Sequence, residues 1–181
     1  MIILGIDPGS LVCGYGVIES NNNKLQLIEY GVIKVAQKEE DFNLRLKEIY
    51  LRIDSVIKRC KPDESSFETI FYGKNVQSMM KLSHARAVAI LAATLNNIPI
   101  NEYAPREIKK SVTGLGSASK EQVRFMVKKI LNISENHNFF DATDALATAI
   151  CHYFRKNSGN KKTSSWEQYI KSNPEKIKIF Q

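Results

Sequence analysis

The stretch that decides the fold is IILGIDPGS, residues 2–10 of the chain. Its apolar run predicts a buried central strand, and Pro8-Gly9 predicts a turn directly after that strand. Asp7 would then stand at the end of the strand. Taken alone, Asp7 is most simply explained as a residue that caps the turn. A functional role gains weight because three further acids lie in stretches that are otherwise built to be buried.

Composition predicts one α/β domain over residues 1–155 with a basic tail over 156–181. The 181 residues are 43% hydrophobic, and 26 Lys and Arg against 19 Asp and Glu give a net charge of +7. This charge favours a polyanionic partner without establishing one. The tail holds six lysines and two glutamates, and we expect it to be partly disordered.

Targeting signals and cysteine frameworks are not expected. No apolar run reaches roughly 18 residues, and Ile2 enters the first strand directly, so we expect a cytoplasmic protein that does not span a membrane. The three cysteines match neither a disulfide framework nor a zinc site; they are Cys13, Cys60 and Cys151.

Periodicity along the chain predicts three strands, a helix, a strand, a helix, a strand and then further helices. This order predicts a mixed five-stranded sheet that begins with an antiparallel meander and carries helices on both faces. Asp41 and Ser119 are expected to cap helices. The helix over 76–95 is rich in alanine, which permits close packing within the chain or across a dimer. We expect its alanine-rich face to lie at a two-fold interface.

The three further acids are Glu68, Asp141 and Asp144. Glu68 lies in a short strand over 66–71, where glutamate is unfavourable, although it could simply face solvent. Asp141 could be only a helix N-cap. That explanation does not cover Asp144, which shares a helix face with Asp141 among alanine and leucine residues. An unpaired acid there costs stability unless a cation neutralises it.

Four carboxylates from three separated elements would form an oxygen-rich site suited to Mg²⁺ or Mn²⁺. In a basic protein, two such ions favour hydrolysis of a phosphodiester bond. No cysteine or histidine cluster offers competing chemistry. We expect His84, His137 and His152 to be surface or packing residues.

Candidate nucleic-acid contacts lie in two stretches. A basic stretch flanks the Gly114-Leu115-Gly116 loop and favours contacts with a phosphate backbone over a merely solvated helix face. For Phe71, stacking on a base and packing in the core are close alternatives, whereas Tyr72 is the better core candidate. The basic candidates are Lys74, Arg106, Lys109, Lys110 and Lys120.

Taken together, these residues resemble the bacterial RuvC-type Holliday junction resolvases, of the ribonuclease H-like superfamily. The resemblance covers about residues 1–155. The ordered set of motifs is specific, although Asp-Pro-Gly alone would be weak. The matching segments are residues 3–10 and 14–18, Phe67-Glu68, Phe71, Lys74-Asn75, Ala85-Arg86, Tyr103, Lys109, residues 112–114, Lys120, residues 122–123 and residues 141–147.

The resemblance implies a homodimer that nicks two symmetric strands of a four-way DNA junction. It implies two Mg²⁺ ions per active site, which Mn²⁺ can replace, and a branch-migration complex of the RuvA and RuvB type as partner. Phe71 resembles the family's aromatic residue that stacks near the junction centre, and Lys109 and Lys120 resemble its DNA-contacting lysines. The implied catalytic and metal-holding acids are Asp7, Glu68, Asp141 and Asp144.

Two residues depart from the family pattern, and two other functions stay open. Ala87 stands where glycine is usual, and Cys13 stands where threonine is frequent. The alternatives are a ribonuclease H-like nuclease of another nucleic acid and a junction-binding protein without nuclease activity.

Overall fold

A computed structural model describes residues 1–35, 41–70, 75–134 and 140–157. Within these ranges no helix is both long and apolar enough to cross a membrane. The strands are β1 (Ile2–Asp7), β2 (Val12–Asn21), β3 (Lys24–Lys34), β4 (Glu64–Glu68) and β5 (Ile100–Tyr103). The helices are α1 (Phe42–Cys60), α2 (Val76–Leu95), α3 (Pro105–Thr113), α4 (Lys120–Leu131) and α5 (Phe140–Asn157).

The strands form one mixed sheet in the order β3-β2-β1-β4-β5. The first three strands are antiparallel neighbours, and β4 and β5 run parallel to β1. The predicted α/β architecture is therefore confirmed. The central position of β1 explains its continuous apolar sequence, because both faces of a central strand are covered.

Helices cover both faces of the sheet, as predicted. On one face α1 and α2 pack against alternate residues of the central strands, including Leu4, Ile6 and Phe67, which are fully buried. On the other face α3, α4 and α5 pack around Ile3 and Ile18. The alternation of Ile3 and Leu4 between the two clusters is the period-2 pattern of a strand with two buried faces.

Both predicted helix caps are confirmed. The Asp41 carboxylate accepts a hydrogen bond from the Asn43 amide at 2.8 Å. Ser119 accepts from the Gln122 amide, and the Gln122 side chain accepts from the Ser119 amide in return. This reciprocal pair is a capping box, which fixes where α4 begins.

Two expectations are corrected. β4 ends at Glu68, so Thr69 and Ile70 are not part of the strand. The alanine-rich face of α2 is buried in the chain's own core against α1, because Ala85, Ala89 and Ala92 are fully buried. Small residues permit close packing of either kind, and here they bring a helix of the same chain close.

A buried polar group at the far end of α5 has partners on two strands. His152 is 3% exposed; its Nδ1 lies 2.7 Å from the Tyr103 hydroxyl, and its Nε2 lies 2.5 Å from a Glu64 carboxylate oxygen. Lys156 pairs with the other oxygen of Glu64. We call these four residues the His152 network. They make His152 a packing residue, as expected, while His84 is exposed.

Candidate active site

Asp7 and Glu68 lie side by side at the carboxyl ends of two parallel strands. Asp7 is the last residue of β1, and Glu68 is the last residue of β4. The register pairs Ile6 with Phe67, so the two acids are the next residues on neighbouring strands. The burial of β4 argues against the alternative in which Glu68 belongs to a half-exposed strand, since Phe67 is fully buried.

Asp141 and Asp144 enter the same place from the first turns of α5. Helix α5 begins at Phe140, so Asp141 lies inside the first turn and not at the N-cap position. α5 can approach this closely because β2 carries glycine beside Asp7. A Cβ on Gly14 would lie 2.0 Å from the Asp141 carbonyl oxygen. A side chain at Gly14 would therefore push the start of the helix away.

The four acids share one electrostatic environment, which we call the acid cluster: Asp7, Glu68, Asp141 and Asp144. Burial, followed by the charges of Asp144, Glu68 and Asp141, raises the pKa of Asp7 to about 8. Each of the other three acids therefore lies close enough to Asp7 to oppose its ionisation. A cation bound beside these carboxylates would relieve this repulsion.

Glu68 and Asp144 show the same effect more weakly. Burial, followed by the Asp144 charge, raises the pKa of Glu68, while Lys120 and Lys109 oppose that rise. Burial likewise raises the pKa of Asp144, against the nearby Lys120. Both acids are thus poised between like charges, which repel them, and two lysines, which partly neutralise them.

Lys120 is in direct contact with the acid cluster. Its Nζ lies 3.3 Å from an Asp144 carboxylate oxygen. The Asp144 charge is the main cause that raises the pKa of Lys120, with further contributions from Asp7 and Asp141. Lys109 acts on Glu68 and Asp144 through its charge. Both lysines therefore lie close enough to the acids to act on them through their charge, while their predicted contacts with DNA stay predictions.

The acid cluster fits a hard divalent cation. Among the described residues, no three His, Cys, Asp or Glu side chains converge closely enough to hold a metal ion as they stand. The ends of β1 and β4 and the first turns of α5 nonetheless bring Asp7, Glu68, Asp141 and Asp144 to one place. Carboxylate oxygens are the ligands that Mg²⁺ and Mn²⁺ prefer.

The remaining candidates are spread more widely. Arg106 and Lys110 are exposed on α3, and Gly116 packs directly against the Arg106 side chain. Neither residue appears among the charges that act on the acid cluster. Phe71 and Lys74 lie outside the described residues, so their predicted contacts with DNA stay predictions.

Sequence reasoning missed Arg86 as a residue of the site. Its Nε donates to the Glu68 carbonyl at 3.3 Å, and its Nη2 pairs with the Glu102 carboxylate. The available signal was an arginine next to alanine on a helix face that is otherwise buried. Cys13 is fully buried beside Gly14, and no functional contact explains its departure from the family pattern.

Comparisons with known proteins agree with one another. A family model described as crossover junction endodeoxyribonuclease RuvC matches residues 3–152. A relative of the same description from Cytophaga hutchinsonii is 50% identical over 177 residues, covering 98% of this chain and 88% of its own. A Porphyromonas gingivalis relative, again of that description, is 42% identical over 184 residues, covering 98% of this chain and 97% of its own.

One solved structure extends the comparison to three dimensions. Thermus thermophilus RuvC in complex with Holliday junction substrate superposes with a TM-score of 0.82 at 31% sequence identity. The match covers 88% of this chain and 96% of that one. The likeness therefore extends over most of both chains.

Proposed function

This chain belongs to the crossover junction endodeoxyribonuclease RuvC family, and on that premise we propose how its acid cluster resolves DNA junctions. The protein is a Holliday junction resolvase with the ribonuclease H-like fold that the resemblance implied. It hydrolyses phosphodiester bonds in four-way DNA junctions during recombination and repair. The observation that carries the proposed mechanism is the convergence of four acids: burial, followed by the charges of Asp144, Glu68 and Asp141, raises the pKa of Asp7 to about 8.

Family membership implies dependence on a divalent metal. We infer that Asp7, Glu68, Asp141 and Asp144 are the catalytic acids that hold Mg²⁺, two ions per active site, with Mn²⁺ as a substitute. Such ions, when bound, activate water and stabilise the leaving oxygen. The chain's own residues hold the carboxylates at the ends of β1, β4 and the first turns of α5. Lys120 and Lys109 add positive charge where a phosphate would enter.

Junction binding is expected to rest on basic and aromatic residues around the acid cluster. Lys109 and Lys120 lie beside the acids and are the leading candidates for phosphate contacts. Arg106 and Lys110 on α3, together with Lys74, would extend this basic surface. Phe71 is proposed to stack on an unpaired base near the junction centre.

We propose a homodimer whose interface is the outer face of α2. This face is opposite the buried alanines and carries four exposed apolar residues. Apolar side chains gathered on one helix face are typical of an interface, and paired nicks require two sites related by a two-fold axis. A branch-migration complex of the RuvA and RuvB type completes the proposed partners. The exposed residues are Val76, Met80, Leu91 and Leu95.

The domain boundary is also a proposal. α5 continues through Asn157, two residues past the expected end of the nuclease domain at residue 155. Arg155 pairs with Glu107, and Lys156 pairs with Glu64, so both belong to the packed domain. We therefore assign the basic tail to residues 158–181, which lie outside the described residues.

A substrate panel tests the proposed function. The protein is incubated with Mg²⁺ and a mobile four-way junction, a linear duplex of the same sequence or an RNA–DNA hybrid, and the cuts are mapped. We expect paired symmetric nicks in the junction alone. Cutting of the hybrid would favour the related nuclease of another substrate. Tight junction binding without cuts in Mg²⁺ or Mn²⁺ would favour the non-catalytic binding protein.

A further inference from the structure

Arg86 is held between the ends of two strands, although the mechanism above gives it no role. Its side chain is 18% exposed, and it contacts the Glu68 carbonyl and the Glu102 carboxylate. We infer that Arg86 is a positioning residue for the Glu68 carboxylate, because it supplies the hydrogen-bond donor that the sheet lacks at the Glu68 carbonyl. This inference rests on the proposed role of Glu68 in holding a metal.

The missing donor follows from the register of the sheet. The Thr69 amide donates to the Tyr103 carbonyl on the β5 side at 2.9 Å. Because successive residues present their backbone groups to opposite sides of a strand, the Glu68 carbonyl faces β1. In the β1–β4 register, the amide that would meet it belongs to residue 8. That residue is Pro8, which has no N–H group.

A strand end with an unpaired carbonyl is poorly fixed, because a partly buried acceptor without a partner costs free energy. The Arg86 guanidinium pairs this carbonyl and anchors it to β5 through Glu102. Its rigid planar group holds both partners in one geometry. The small residues Ala85 and Ala89 are fully buried and bring α2 close enough for this contact.

Fixing the Glu68 backbone narrows the positions that its carboxylate can reach beside Asp7 on the neighbouring strand. Groups that orient metal ligands from behind commonly change metal affinity by about 10- to 100-fold when they are removed. Arg86 should therefore affect metal binding in the protein without DNA, and it should affect junction binding much less. A purely structural arginine would instead lower stability and leave the metal affinity of the folded protein unchanged.

The test replaces Arg86 with Met, which keeps the length of the stem and removes every donor. Mn²⁺ binding to the DNA-free protein is measured by titration calorimetry, well below the melting temperature. The Mg²⁺ dependence of single-turnover junction cleavage is measured in parallel. We expect both metal readouts to weaken by about 10- to 100-fold, with junction affinity in metal-free buffer changed little. Arg86→Gln, which keeps a polar group, is expected to behave alike and serves if Arg86→Met does not fold.

Three controls isolate the carbonyl contact. Arg52→Met removes an exposed arginine of α1 that pairs with Glu48, and it should leave metal affinity unchanged. Glu102→Gln breaks the ion pair alone and should change affinity by less than about fivefold. Pro8→Ala restores an amide opposite the Glu68 carbonyl. Arg86→Met should therefore weaken metal binding less in a Pro8→Ala protein than in the wild type.

Wild-type metal affinity in a folded Arg86→Met or Arg86→Gln protein would overturn the inference. So would a failure of Pro8→Ala to restore any affinity. Glu68→Gln is measured in the same assays to separate the two claims. Normal cleavage by Glu68→Gln would remove the proposed site itself. An inactive Glu68→Gln beside a normal Arg86→Met would remove only the role of Arg86.

Discussion

Helix α5 and strand β4 each carry acidic or basic groups at both ends, and the two ends are built differently. At one end Asp144 and Glu68 belong to the acid cluster, in which burial and then like charges raise pKa values. At the other end His152 and Glu64 belong to the His152 network, in which polar groups have paired partners. We call the end with the acid cluster the uncompensated end, because its negative charges outnumber its positive ones. The end with the His152 network is the compensated end, because its polar groups are paired.

The direction of the pKa shift marks the difference. Burial by itself raises the pKa of Glu64, but hydrogen bonds from Lys156 and His152 outweigh it and hold the value below the usual range. Burial lowers the pKa of His152, so the ring is neutral at pH 7. A neutral ring that donates from Nε2 to Glu64 accepts from the Tyr103 hydroxyl at Nδ1. The polar groups of the His152 network are thus paired with one another, whereas the acid cluster holds more negative than positive charge.

The largest expected effect comes from removing one charge of the acid cluster. Asp7→Asn, Glu68→Gln, Asp141→Asn and Asp144→Asn should each lower junction cleavage by about a thousandfold, because metal ions contribute several kcal/mol of transition-state stabilisation. Junction binding should persist, since it depends on lysines and shape. Single-turnover cleavage and a gel-shift titration measure the two properties.

Glu64→Gln is the matched control for these four variants, since it removes an acid from the other end of β4. It should cut the junction at the wild-type rate. Near-normal cutting by any variant of the acid cluster would remove that residue from the site.

The next effect concerns stability at the compensated end. His152→Ala leaves the Glu64 carboxylate and the Tyr103 hydroxyl without their buried partner, at a cost of about 3 kcal/mol. In a domain of this size the melting temperature should fall by roughly 6–12 °C. Cleavage by the folded protein at 25 °C should stay normal. A fully folded His152→Ala protein that no longer cuts would tie this end to the chemistry.

A smaller effect distinguishes the two ends by pH. With its folded pKa at about 8, Asp7 keeps a proton that the unfolded chain releases above its ordinary value of 3.8. The free energy of unfolding therefore falls as pH rises from about 4 to 8. In EDTA, Asp7→Asn should remove this loss and stabilise the protein at pH 8, but not near pH 4. Thermal melts across this range measure it.

The contribution of Glu64 to the free energy of unfolding should change with pH in the opposite direction. Its lowered pKa gives stability that is present above pH 4.5 and is lost as pH falls through the folded value. Glu64→Gln should therefore destabilise the protein at pH 7 and have little effect in acid. If Asp7→Asn and Glu64→Gln gave melting curves with the same pH dependence, the contrast between the two ends would be wrong.

The smallest effect is expected from the tail that follows the compensated end. Residues 158–181 hold five lysines and two glutamates, a net charge of +3. Truncation after Asn157 should reduce the steepness of log affinity against log salt by at most about 4 to 5, since each lysine that meets a phosphate contributes about 0.9. Cleavage at saturating enzyme should not change. Loss of cleavage on truncation would show that the tail contributes to the active site or to the fold.

Local patterns predicted most of the uncompensated end. Asp7 follows an apolar run, and Asp144 interrupts an apolar helix, so each acid is conspicuous where it stands. The compensated end was not foreseen beyond a packing role for His152. Its partner Glu64 lies 88 residues away, and that pairing depends on the β4 register and the path of α5. Arg86 was missed for a similar reason, because its contact with the Glu68 carbonyl, 18 residues away, depends on how α2 packs against the end of β4.

The sequence also could not predict that the alanine face of α2 is buried within its own chain. Alanine at helical spacing indicates a close neighbour but does not say which neighbour. The exposed leucines on the opposite face, Leu91 and Leu95, are the residues through which we propose that α2 contacts a second copy of the chain.

The glycine at position 14 sets a spacing in the active site by backbone contact alone. The space where its Cβ would lie is filled by the Asp141 carbonyl, 2.0 Å away. The missing Cβ therefore sets the minimum separation between the end of β1 and the start of α5. A redesign of the core behind α5 for heat resistance that keeps this backbone contact should keep the proposed catalytic carboxylates at their present spacing.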